Sequence, residues 1–505
     1  MKSWRRPPAP DLLLAAAVCL AFGASLTAGF HFDDHALFQD PSVTSPSGWR
    51  EMWRLDRTRP LAWLTYWLNF QLGGQNPAGY HAVNLVLHLT AAWLLLRLLG
   101  DLKPGRAACV AAALFAIHPM QTEPVVYIFA RGTLLMTVFS LLAWRAWLRE
   151  RRWLAAVCFA LALLSKEECA ALPAFLLLFD WSRSTGGRGR PALAAMAAMA
   201  LAAGLRVIWA ASRLGGSGAG PGSVRSPLEY FAAQGVVILR YFRLLLIPYG
   251  FTVDPEITLP STAAAVLAWL ALAAMAGAAL RRFRNLELGF WFLGGLILLL
   301  PSSSVFPADD LAADRRLYLP LAAFCPALGL ALARLRPIIP AAAGVVLLGL
   351  TMVRVQVWQT EESLWREALE RAPGKIRPRI QLARVRPAAE ALILLEAARR
   401  LAPDDSRVAS ELGRIYMETG QLAEALAEFG RALALEPNEP RALNNRAVAL
   451  VALGQREAAV RDLLAALKRN PCLFDARLNL RRLAEPAPPD PGCNFTPAQR
   501  SALIE

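Results

Sequence analysis

Long apolar runs alternate with short, mostly basic loops through the first 355 residues. A helix crossing a bilayer needs ~20 apolar residues at a rise of ~1.5 Å each. On that measure spans fall near residues 12–29, 80–99, 106–118, 131–148, 152–165, 169–181, 191–212, 262–280, 287–301, 317–333 and 337–354. The pattern predicts eleven membrane helices. The first run follows a basic N-terminal stretch and could be read as a secretory signal. An uncleaved first span is preferred, because many further apolar runs follow it.

After Arg354 the periodicity changes and no further span appears. Pro403, Pro437 and Pro471 recur 34 residues apart, as do Gly420 and Gly454, Ala425 and Ala459, and Ala432 and Ala466. That is the tetratricopeptide spacing, with small residues where paired helices touch and proline closing each unit. The unit from Ser406 carries Leu412, Gly413, Tyr416, Ala425, Phe429, Ala432 and Pro437 at the offsets the repeat requires. An earlier unit has only 30 residues between Pro373 and Pro403, which predicts a shortened first helix around Gln381–Ala389. A last helix over Phe474–Leu483 would cap the stack. The fold is therefore read as all-α: a polytopic membrane helical bundle over residues 1–355, then an α-solenoid over residues 356–505.

Composition agrees: of 505 residues, 56% are hydrophobic and 18% charged, far from a soluble domain. The net charge of +15 could suggest nucleic acid, but the basic residues sit in short loops between spans, as membrane topology demands. No nucleic-acid partner is expected. Lys2, Arg5 and Arg6, Lys103 and Arg106, Arg145–Arg152, Arg183–Arg190, Arg281–Arg284, and Arg334 with Arg336 fall on one side, the cytoplasmic one by the positive-inside rule. The stretch FHFDDHALFQD, residues 30–40, then lies outside, and so do the repeats. The outer loops are richer in tryptophan, which suits interfacial helices. The run YFAAQGVVILRYFRLLLIPYG has Arg240 and Arg243 in its middle and is read as lying along the outer surface or re-entering, after a Gly/Ser connector at residues 214–223.

Polar groups gather on this outer side beside span ends. Asp33 and Asp34 are adjacent carboxylates at a membrane boundary, where pKa values move and a carboxylate can act as a base; the plain alternative is solvated loop charge. Arg59, His81, Asn84, His88, His118, Gln121, Glu123, Arg131, Lys166, Glu167, Asp314, Arg315 and Arg316 fall on the same side. A cavity lined by such cations suits an anionic group at headgroup depth, such as a lipid phosphate. Each also has a structural reading. His81 and His88 lie on an apolar helix and read better as interhelical hydrogen-bonding groups than as ligands. Lys166 and Glu167 could pair with one another, and Arg315 and Arg316 could anchor at the interface. Seven cysteines show no metal-binding spacing, and no metal is assigned, although adjacent aspartates can hold Mg²⁺ or Mn²⁺. Cys472 and Cys493 could pair, and Asn494, Phe495 and Thr496 form a glycosylation sequon.

The ordered motifs FDDHALF, RPLAWLTYWLNFQLGGQNPAGYHAVNLVLH, LFAIHPMQTEPVVYIFAR, LSKEECAALPAFLLLFD, ILRYFRLLLIPYGFTVDP and PSSSVFPADDLAADRRLYLP, followed by tetratricopeptide repeats, resemble the transmembrane and tetratricopeptide-repeat O-mannosyltransferases and their bacterial relatives. The resemblance covers nearly the whole chain. It implies a GT-C glycosyltransferase fold, a polyprenyl-phosphate sugar donor (mannose being the expected sugar), a protein Ser/Thr hydroxyl as acceptor, chemistry on the non-cytoplasmic face, and no metal. It also implies that Asp33 is the base and Asp34 its helper, with Arg59, Lys166, Arg315 and Arg316 as candidates for the donor phosphate. His118, Glu123, Arg131 and Glu167 stand with them as candidate substrate contacts. Two other readings stay open: a glycan or lipid acceptor, or a membrane scaffold whose repeats recruit a partner. The absence of an internal duplication of the spans counts against a transporter.

Overall fold

The computed structural model describes residues 9–54, 57–184, 189–214, 225–304 and 306–504. Lys2, Arg5, Arg6, Arg188 and nearly all of the Gly/Ser connector lie outside the described residues. The chain forms two compact units: one holds the chain up to Asp34 together with Trp49–Thr360, the other His35–Gly48 together with Glu361–Glu505. The boundary thus falls slightly beyond residue 355. A short piece of the first outer loop, with Leu37 and Val43 fully buried, goes with the repeats, which no periodicity in so short a stretch announces.

Each of the eleven apolar runs lies on a helix in the first unit. Among the described residues, six helical stretches are long and apolar enough to cross a membrane: Pro10–Thr27, Pro77–Leu102, Ile128–Leu148, Arg190–Ser212, Thr262–Leu280 and Ile338–Val357. Arg106–Ile117, Arg152–Ser165 and Leu288–Leu299 are shorter apolar helices. Helix ends follow local chemistry. Asn76 caps Pro77–Leu102 by accepting from the Ala78 amide, and Ser226 with Glu229 forms a capping box for Pro227–Leu246, so the run with Arg240 and Arg243 is one regular helix. Close packing uses missing side chains: a Cβ on Gly295 would stand 2.3 Å from the Phe324 ring, and one on Gly329 2.7 Å from Ala111. The interior is dense with aromatic rings, including Trp144 edge-on to Phe175 at 4.8 Å. His88 is an interhelical strut, bridging the Ala116 carbonyl and the Tyr318 hydroxyl at 2.9 and 2.8 Å, whereas His81 ties its helix to the extended chain after the first span, donating to the Ala28 carbonyl at 3.1 Å.

The second unit stacks helix pairs. Ser406–Glu418 packs on Leu422–Leu435, and Pro440–Ala452 on Arg456–Arg469. The repeat glycines Gly420 and Gly454 take φ values of +77° and +73°, the left-handed turn that ends each first helix and that glycine adopts without steric cost. The earlier unit pairs Arg377–Arg384 with Ala388–Leu401. Its first helix has 8 residues where the next two have 13 each, so the missing residues were taken from that helix. Phe474–Arg482 closes the stack, and Cys472 is disulfide-bonded to Cys493.

Candidate active site

The acidic pair sits in a 3₁₀ turn, Phe32–Gln39, entered through Phe32 at φ +46°. Adjacent positions on so tight a turn point differently, and the two carboxylates meet different surroundings. Asp34 is fully buried and accepts the His31 amide at 2.9 Å on one oxygen and the Phe129 amide at 2.8 Å on the other. Burial is the largest influence on its carboxyl and, with the neighbouring Asp33, outweighs these amides, pushing the pKa up to about 8. Asp34 therefore ties the first outer loop to the segment before the Arg131 helix. Asp33 is half-buried, and its Oδ2 accepts the Tyr127 hydroxyl at 2.7 Å.

The wall facing this pair is the segment 118–131, a run of short turns between two apolar helices. Every end is pinned. His118 Nδ1 accepts the Met120 amide, and its Nε2 reaches the Leu245 carbonyl, both at 3.2 Å. Asn84 donates to the Val125 carbonyl at 3.2 Å, and Tyr66 to the Ile128 carbonyl at 2.9 Å. Arg131 is fully buried. It bonds Asn84 at 2.8 Å, Asn69 at 2.6 Å and the Tyr80 carbonyl at 3.0 Å, with its guanidinium 4.7 Å from the Tyr66 ring centroid. Arg131 thereby braces the wall from behind. Glu123 takes both the guanidinium and, at 3.1 Å, the backbone amide of Arg315, which joins the wall to the 3₁₀ turn Asp314–Leu317. Arg316 donates to the Tyr230 hydroxyl at 3.1 Å and to the Asp310 carbonyl at 2.7 Å, and Asp314 pairs with Arg240 at 3.3 Å.

A second charged group forms where LSKEE leaves its helix. Lys166 pairs with Glu168, not with Glu167, at 2.9 Å and donates to the Thr133 hydroxyl at 2.9 Å. The 3₁₀ turn Glu167–Ala171 accounts for this correction, since it turns consecutive residues to different sides. Glu167 instead takes Nε of Arg59 at 3.1 Å and its Nη2 at 2.5 Å. Burial pulls the Lys166 ammonium below its ordinary value, as do Arg59 and Arg315, while Glu168 opposes them. Lys166 lies within electrostatic reach of both Arg59 and Arg315. The folded chain thus brings together Asp33, Asp34, Glu123 and Arg315, and, beside them, Arg59, Lys166 and Glu167. His118 and Arg131 hold the ends of the wall. Sequence reasoning missed Tyr127 and Glu168; the aromatic in VVYIFAR looks like any interfacial residue, and the second acid of KEE is distinguished from the first only by the turn.

Comparison with known proteins gives the same direction. Tetratricopeptide repeat family models match residues 413–454 and 440–471. The protein O-mannosyl-transferase Tmtc1 of Drosophila melanogaster is 36% identical over 32% of this chain and 22% of its own length. TMTC1 of Homo sapiens is 35% identical over 28% of this chain and 18% of its own length, and TMTC4 of Mus musculus is 25% identical over 72% and 62%. The matched stretch thus spans only about a fifth of the length of the first two relatives. Among solved structures, ArnT from Cupriavidus metallidurans bound to undecaprenyl phosphate aligns over 91% of this chain and 80% of that one, at 13% identity and a TM-score of 0.41, an overlap too loose to identify a fold. An all-helical bundle with membrane-length helices, tetratricopeptide repeats and these sequence matches make the chain similar to the transmembrane and tetratricopeptide-repeat O-mannosyltransferases.

Proposed function

We propose that this chain is a membrane glycosyltransferase of the GT-C kind that moves a sugar, mannose, from a polyprenyl phosphate to a Ser or Thr hydroxyl of a protein on the non-cytoplasmic face. The observation that carries the reading is the division of labour within the acidic pair. Asp34 is committed to two backbone amides, whereas Asp33 is partly open and held on a tyrosine hydroxyl. In the reaction, Asp33 takes the proton of the acceptor hydroxyl as that oxygen bonds to the anomeric carbon; the bond from that carbon to the phosphate oxygen breaks, and polyprenyl phosphate leaves with the electron pair. Arg315, Arg59 and Lys166 supply the positive field in which the leaving phosphate is stabilised. The repeats hold the acceptor chain, and the base and the cationic side chains suffice without a divalent metal.

The test is transfer from radiolabelled polyprenyl-phosphate mannose to an acceptor protein in membranes, with and without a chelator. Asp33→Asn is expected to abolish labelling while leaving membrane insertion intact, and the chelator to change nothing. Normal labelling by Asp33→Asn would remove Asp33 as the base. Label appearing only in lipid or glycan would replace the proposed acceptor.

A further inference from the structure

The Tyr127 hydroxyl holds Asp33 but has been given no part in the reaction. We infer that Tyr127 is a positioning residue for the base: by donating to Oδ2 of Asp33 it fixes the plane of that carboxylate and favours its ionised form. The inference rests on Asp33 being the base. The bond is 2.7 Å long and joins residues 94 apart in the chain. Tyr127 is itself held on several sides. Its amide donates to the Glu123 carbonyl at 3.0 Å, its carbonyl accepts from Asn84 at 3.4 Å, and its ring lies against Trp358 and Phe129, with centroids 5.9 and 6.4 Å away. A side chain so fixed transmits its own position to whatever it bonds.

The direction of the bond follows from its surroundings. Tyr127 is only 7% exposed, and burial together with the Asp33 and Asp34 carboxylates pushes its hydroxyl well above the ordinary tyrosine value, although Arg315 pulls the other way. The hydroxyl stays protonated and donates. Charged groups bearing on the pair include Asp34 from the turn that carries Asp33, Arg315 from the turn Asp314–Leu317, and Arg131, through Asp34, from the helix that follows Tyr127. A hydrogen bond to the charged form of a carboxylate holds it ionised to lower pH. Its loss therefore moves the acid limb of the transfer rate to higher pH.

The pH–rate profile of mannose transfer by the full-length protein in membranes tests this. Tyr127→Phe is expected to move the acid limb upward by roughly one unit and to lower the plateau rate about tenfold, with KM for the lipid donor unchanged. Incorporating 3-fluorotyrosine at position 127, a stronger donor in the same space, is expected to move the limb the opposite way, and it gives a reading even if the phenylalanine variant does not fold. An Asp33→Asn variant that is inactive while both changes at 127 leave the limb where it is overturns the inference alone. An Asp33→Asn variant that transfers normally overturns the base assignment, and this inference with it.

Discussion

The Arg59 guanidinium grips both oxygens of the Glu167 carboxylate across 108 residues of chain. Arg59 does so from a left-handed backbone conformation, φ +60°, just ahead of the helix Pro60–Gly73. That conformation costs energy for a residue with a side chain, and the two-point ion pair offsets it. Burial alone would raise the Glu167 carboxyl; the Arg59 charge and hydrogen bond, helped by Lys166, outweigh it and hold the pKa at about 2. A carboxyl depressed by folding stabilises above its unfolded value and loses that contribution as pH falls through the folded one. Between pH 4.5 and about 2, the thermal midpoint of the wild type in detergent is expected to fall more steeply than that of Glu167→Gln. At neutral pH the variant is expected to be less stable by about 1–2 kcal/mol, kept small by the partial exposure of both side chains. Parallel slopes would show that the pair contributes nothing to stability.

The two members of the acidic pair are expected to fail differently. Asp34→Asn puts an amide donor where two backbone donors already point, so one of them loses its partner in a buried site, at a cost of about 1–3 kcal/mol. Asp33→Asn sits in a more open place and is expected to leave the thermal midpoint within a degree or two. The raised carboxyl of Asp34 gives a pH signature as well. Its contribution is fully present below the unfolded value of 3.8 and is lost as pH rises towards about 8, so Asp34→Asn is expected to flatten the decline in midpoint over that window. Equal midpoints and equal pH slopes for the two variants would contradict the division of labour.

Much of the scaffold was legible because periodicity and length carry it. Eleven apolar runs predicted helices where helices occur, and 34-residue spacings placed the repeats, including the helix shortened to Arg377–Arg384. The acidic pair was visible as an oddity at a span end. Its inequality was not, because it depends on two amides, His31 and Phe129, that a sequence does not place. The same holds for the partners of Lys166 and Glu167, which a single 3₁₀ turn decides. Ion pairs such as Arg315 with Glu123 join residues 192 apart, where charge and position along the chain give no pairing rule.

That last pair is expected to behave as a unit. Glu123 is nearly buried, and Arg315 is more open. Removing one partner strands the other, a loss of about 3–5 kcal/mol for a buried pair. Arg315→Gln and Glu123→Gln are each expected to lower stability sharply, and the double variant to be less destabilised than their sum predicts, by 0.5–3 kcal/mol or roughly that. Thermal midpoints of the four proteins in detergent measure the coupling. Strict additivity would mean that the contact carries no interaction energy.

In the repeat unit the clearest single test is Gly413. A Cβ there would stand 2.8 Å from the Phe429 ring, and Phe429 is fully buried between paired helices. The ring has nowhere to retreat without opening the pair. Gly413→Ala is expected to destabilise by about 1–3 kcal/mol despite alanine's better helix propensity. Limited proteolysis of the full-length protein should show faster cutting within residues 406–435. The matching change at Gly430, where a Cβ meets nothing within 4 Å, is expected to be neutral or slightly stabilising. Equal effects at the two positions would refute the packing argument.

The disulfide between Cys472 and Cys493 closes a 21-residue separation around the capping helix Phe474–Arg482 and the proline-rich turn behind it. Arg477 fills the space inside, donating to the carbonyls of Pro471, Pro488 and Pro489, and Phe474 meets Phe495 with ring centroids 5.9 Å apart. These contacts hold the tail on the stack, and the covalent link stabilises it further by about 3 kcal/mol through the unfolded state. Such a bond persists where the surroundings oxidise thiols and is rare where glutathione keeps them reduced. If the repeats lie on the non-cytoplasmic face, as proposed, alkylation of acid-quenched, denatured protein should modify the five free cysteines before reduction and all seven after it. Cys472→Ser and Cys493→Ser should each loosen the tail to protease. Seven modified thiols before reduction, in protein taken from its native membrane, would place the repeats in a reducing compartment and would move the proposed acceptor and the chemistry of Asp33 to the opposite side.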